Sequence, residues 1–141
     1  MRAVLLAAVL AFSACGGPIA NAQPCQGTAA DLQVLRDNLE IVRVQVKAAR
    51  NETGYEKKPA TDTIATTIRT LEEAAGHAIE PSPSSKVAIT PHGAAHPHMQ
   101  VVHQAFPAAQ RAFERVRCAL PGPFEPLQKA MADLDQALQF R

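Results

Sequence analysis

The sequence predicts an all-α protein, a four-helix bundle, and three observations carry that prediction. Apolar residues recur at alternating steps of three and four in several stretches, as in Met99, Val102, Phe106, Ala109, Phe113, Val116 and Leu120, which places them on one stripe of an α-helix. Proline, glycine and serine cluster between those stretches, where they end regular structure. The 141 residues are 47 % hydrophobic and 19 % charged, with no tryptophan. That is the composition of one globular domain whose core must come from Leu, Val, Ile and Ala.

The first helix is expected over residues 28–50. Thr28 and Asp31 make a capping pair, and Leu32, Leu35, Leu39, Val42, Val46 and Ala49 form its inward stripe, widened on one flank by Val34 and Ile41. Arg36, Arg43, Lys47 and Arg50 fall on the other faces and read as a solvated basic ridge. Asn51-Glu52-Thr53 matches a glycosylation sequon, a pattern too short to weigh. Gly54 and Pro59 mark a turn, and a second helix follows over 61–78 with Ile64, Ile68, Leu71, Ala75 and Ile79 inward. Four threonines, Thr63, Thr66, Thr67 and Thr70, make it the poorest helix former of the set.

Residues 80–96 form a linker opened by Pro81-Ser82-Pro83-Ser84-Ser85 and loosened again by Pro91 and Gly93. At about 3.3 Å per residue it reaches roughly 50 Å, enough to cross a bundle end to end. The third helix is expected over 97–119, with Pro97 at the first position and His96 as an imperfect cap. Pro107 should kink it without ending it, because the apolar phase continues from Phe106 to Ala109. Pro121-Gly122-Pro123 stops it. The fourth helix is expected over 126–140, with Leu127, Met131, Leu134 and Leu138 inward and Phe124 as a staple at its start.

The beginning of the chain reads as an export signal. Arg2, the short apolar run 4–12 and Ala20-Asn21-Ala22 make residues 1–22 a cleaved signal peptide and residues 23–141 a single mature domain. A rival reading takes Phe12-Ser13-Ala14-Cys15-Gly16 as a lipoprotein box with anchoring through Cys15, although phenylalanine departs from the usual first position. The expected location is periplasmic or secreted, with no stable membrane insertion once the signal is removed.

In that compartment Cys25 and Cys118 form an even pair suited to a disulfide. The bridge would close a loop of about 93 residues, to which the chain-entropy treatment credits about 4–5 kcal/mol. It also constrains topology, since bonded cysteines need Cα atoms within about 7 Å. If the linker were a simple hairpin, Cys118 would end at the opposite end of the bundle from Cys25. The expected connectivity is therefore up-down-down-up, with the Pro/Ser-rich linker as one long crossover.

Function is less directly written. The chain carries 14 basic and 13 acidic residues, and loss of Arg2 with the leader makes it neutral, which gives no electrostatic reason to expect nucleic acid or an anionic membrane as partner. His92, His96, His98, Met99 and His103 cluster within twelve positions. Imidazole with thioether suits copper, and imidazole alone suits zinc, nickel or copper(II). Against a metal site, Met99 already belongs to the core stripe, no carboxylate lies nearby to orient the rings, and the topology sends His77 to the other end. No Cys-x-x-Cys, phosphate loop, Gly-x-Ser-x-Gly elbow or nucleophile–base pair can be assembled, so no enzyme is expected. The expected function is that of a small exported, non-catalytic helical bundle without cofactor, an envelope component or partner-binding module for a protein partner. The alternative is a periplasmic or extracellular Cu, Zn or Ni binding protein using the 92–103 cluster. Alanine-rich helix edges suit a monomer or a homodimer.

Overall fold

The computed structural model describes residues 27–49, 57–89, 93 and 95–139. Among these all regular structure is helical: α1 Ala29–Ala48, α2 Lys57–Ala75, α3 Pro97–Val116 and α4 Glu125–Ala137, with 3₁₀ turns at Pro83–Lys86 and Arg117–Ala119. The four-helix, all-α class expected from the apolar spacing is the one adopted. Residues 1–26, on which the export-signal, Cys15 and Cys25 readings fall, the sequon and His92 lie outside the described residues. None of the described helices is long and apolar enough to cross a membrane.

Each helix starts and stops for a local reason. α1 opens on a reciprocal capping box, in which Thr28 N–H donates to Asp31 Oδ2 at 3.1 Å and Asp31 N–H donates to Thr28 Oγ1 at 3.3 Å, so two otherwise orphaned amides are satisfied. α2 begins at Lys57 rather than near Thr61. The difference is Pro59, read from sequence as part of a turn; it sits in the first helical turn, where its missing N–H has no partner to lose. The threonines are accommodated because Thr67 and Thr70 each return their hydroxyl to the carbonyl four residues back, at 2.8 Å in both cases. Gly76, with φ of +82°, ends the helix in the left-handed conformation that a side chain would resist.

α3 starts with Pro97 at its first turn, and His96 caps it without a side-chain hydrogen bond. It runs through Pro107 to Val116, after which residues 117–119 tighten into a 3₁₀ turn. Phe124 precedes α4 and stacks on Phe113 with ring centroids 4.9 Å apart, while the Arg117 guanidinium lies 5.0 Å from the same ring. This aromatic contact ties the end of α3 to the start of α4.

The inward stripes meet in one core. Leu35, Leu39, Val42, Val46, Ile64, Leu71, Met99, Val102, Ala109, Val116, Leu127 and Leu134 are fully buried in it. α1 packs closely on α3 and on α2, and α2 packs on α4. At one end, Gly27 lies so near the Arg115 carbonyl that a Cβ there would stand 2.1 Å from its oxygen. Asp31 faces Arg115 at 3.8 Å nearby. Gly122 N–H donates to Ala74 O at 2.9 Å, which brings the end of α2 against the turn leading into α4. Toward the other end of α1, Gln45 meets His98 of α3.

Two expectations for the faces of α1 change here. Arg36 is not on a solvated ridge: it is 8 % exposed, and its neighbour Glu40 is 2 % exposed. Tertiary structure supplies the cover, because the segment after α2 lies over that face of α1. Val34, expected to widen the apolar face, is instead exposed.

Candidate functional site

The segment after α2, residues 80–89, is held to α1 at three successive heights. Gln33 Nε2 donates to Glu80 O at 2.8 Å. Four residues along α1, Asp37 accepts from Ser82 twice, from its N–H at 2.8 Å and from its hydroxyl at 2.7 Å. Burial alone would raise the Asp37 pKa, but these two bonds, a third from Gln33 and the charge of Arg36 outweigh it and hold the carboxyl below its ordinary range. Further on, Gln45 is fully buried, and one orientation of its amide satisfies its surroundings. In that orientation Nε2 donates to His98 Nδ1 at 2.8 Å and to Ile89 O at 3.1 Å, and Oε1 accepts from Ile89 N–H at 2.7 Å. Gln45 thus pairs with the Ile89 backbone as a neighbouring strand would.

This clamp places the predicted metal ligands. His98 is half-buried and meets the Gln45 amide through Nδ1 at 2.8 Å. Met99, four residues before His103 and expected on its face, is fully buried in the core, whereas His103 is exposed. His103 lines a small hollow of about 160 Å³ with Phe106, Asp135 and Leu138. His96 caps α3 and His92 lies outside the described residues. Among the described residues no group of three His, Cys, Asp or Glu side chains converges as a metal centre.

The structure assembles a different polar site, one that the sequence reading passed over. A cleft of about 500 Å³ lies between α1, α2 and the segment that follows α2. Along its floor Glu40 accepts from Arg36 Nη1 at 2.9 Å and from Arg43 Nε at 3.1 Å, and pairs again with Arg43 Nη2. Arg36 Nε is buried without a hydrogen bond and stands 3.7 Å from Glu72 Oε1. That same Glu72 oxygen accepts from Ile79 N–H at 3.2 Å. Burial would raise the Glu40 pKa, but its bonds to Arg43 and Arg36 and their charges lower it; the bond to Glu40 in turn raises that of Arg43. The signal was present in sequence as Arg36–Glu40 and Glu40–Arg43 at helical spacings of four and three. It could not be told from an ordinary surface pair without knowing that the segment after α2 covers it.

No known family model matches this chain, and no curated protein or solved structure matches it significantly.

Proposed function

We propose that this chain is a small exported, non-catalytic helical bundle that acts by binding a protein partner, with the crossover as its display surface. The observation that carries this reading is the use made of the polar side chains. Gln33, Asp37 and Gln45 are spent fastening the crossover to α1, and the fastened segment presents Val87 and Ile89, 61 % and 54 % exposed. Two large apolar side chains held outward on a fixed rim suit recognition, because little conformational freedom remains to be lost on binding.

The reading includes an up-down-down-up connectivity and a Cys25–Cys118 disulfide. Supporting the connectivity, the start of α1 lies beside the end of α3, the end of α2 lies beside the turn into α4, and the crossover meets α1 first at Gln33 and later at Gln45. In support of the disulfide, Gly27, two residues beyond Cys25, abuts Arg115 and Val116, which stand three and two residues before Cys118.

The test uses the tagged full chain, cross-linked in the envelope of cells that make it, beside V87S/I89S and V34S variants. A discrete cross-linked protein retained by V34S and lost from V87S/I89S is the expected result; an unchanged pattern in V87S/I89S refutes the display surface. Calorimetric titration with Cu(I), Cu(II), Zn and Ni separates the metal-binding alternative. Sub-micromolar binding that disappears when His92, His96, His98 and His103 are changed to alanine would replace the partner-binding reading.

A further inference from the structure

We propose that the cleft between α1, α2 and the crossover binds a small zwitterion with an apolar body, of the class of free aliphatic amino acids and their short peptides. The inference is independent of the partner-binding reading, because it concerns the cleft rather than the outward face of the crossover.

Size comes first. A volume of about 500 Å³ lies within the range of roughly 300–1,000 Å³ that holds small ligands. Charge then narrows the chemistry. The walls carry cationic Arg36, Arg43 and Lys86 against anionic Glu40, Glu72 and Glu80, so the site is neutral but strongly polar. A simple anion gains little from a lining whose charges cancel, and a wholly apolar ligand would strip water from ions without replacing it. A zwitterion sets each of its poles against an opposite charge and leaves its body for Val44 and Ile68 on the same walls.

The charged groups are also already oriented. Arg43 keeps its side chain 33 % exposed while two of its nitrogens are held by Glu40. Glu72 keeps 30 % exposure while Oε1 is held by Ile79 N–H. Groups fixed before the ligand arrives lose less freedom on binding it. The floor is moreover short of one acceptor at Arg36 Nε. A buried ion network of this kind is poor value as a stabilising device, since apolar side chains of the same size often serve as well; a ligand site gives it a use.

The experiment is a titration of the full chain, followed by calorimetry and by amide chemical shifts, with leucine and leucyl-leucine as probes and N-acetyl-leucine and leucinamide as singly charged analogues. Saturable binding of either zwitterion is expected, weaker by about tenfold or more for each blocked analogue, since each loses one charge-assisted contact. Shifts should centre on residues 36–44, 65–72 and 79–86. Lys86→Gln, on an exposed turn where folding is not at stake, should weaken binding by a similar factor with helicity unchanged, and Lys129→Gln on α4 should not. Absence of saturable binding by both zwitterions overturns the proposal. Equal binding of the blocked analogues, or an undiminished affinity in Lys86→Gln, overturns it as well.

Discussion

Glu40 shows how much can depend on one buried carboxylate. It is 2 % exposed and accepts from both Arg36 and Arg43, so its removal leaves two guanidinium groups facing each other with no anion between them. Glu40→Gln should therefore cost about 3–5 kcal/mol in urea denaturation, the range for breaking a buried ion network from one side. Asp37 offers a contrasting case, in which pH is the variable. Its pKa is held below the ordinary range in the folded protein, so the stabilisation it gives is complete above the unfolded-state value and is lost as pH falls through the folded one. Stability should accordingly fall as pH drops below about 4, the ordinary aspartate value, and the fall should be shallower in Asp37→Asn, which no longer changes charge. Equal slopes in the two proteins would show that the Ser82 contacts do not discriminate between the charged and neutral forms.

The helices themselves were largely legible, and the reasons for the exceptions are specific. The stripe Leu32, Leu35, Leu39, Val42, Val46 and Ala49 is buried throughout, because a period near 3.6 can be read from a dozen residues without knowing the neighbours. The Thr28–Asp31 cap was legible for the same reason, being local. What could not be read is contact across long separations: Gln45 finds Ile89 and His98, and Arg36 is covered by a segment that follows α2, and neither leaves a periodic trace. The histidine cluster fell between these cases, since a run of six positions from His98 to His103 on a helix spreads its side chains over different faces. Pro107 gives the prediction at this scale. It lies inside α3, where it removes one backbone hydrogen bond and crowds the preceding turn. Pro107→Ala should keep the fold, preserve or raise the helical circular-dichroism signal and gain up to about 3 kcal/mol in denaturation. A loss of stability would mean that the packing around His103 and Phe106 depends on a bend that only proline maintains.

Across the whole molecule, Gly27 and Asp31 bring the start of α1 against the end of α3 at Arg115, and Gly122 meets the end of α2. Two different forces meet there and can be separated. Gly27 permits a backbone approach that no side chain allows, since a Cβ would lie 2.1 Å from Arg115 O. Gly27→Ala must therefore push the start of α1 away from α3, at a cost of about 1–3 kcal/mol for overpacking. The proposed Cys25–Cys118 bridge would act instead on the unfolded chain, restricting it by about 4–5 kcal/mol. Non-reducing peptide mapping of the oxidised protein should yield the linked pair, and Cys118→Ser should be less stable than the parent by about that amount. Under reducing conditions the Cys118→Ser difference should vanish, because the parent has then lost the same restraint, whereas the Gly27→Ala difference should persist. If both differences vanish on reduction, the close approach at Gly27 is a consequence of the bridge. If both persist, the loss in Cys118→Ser comes from something other than a bridge, and the Cys25–Cys118 pairing is refuted as its cause.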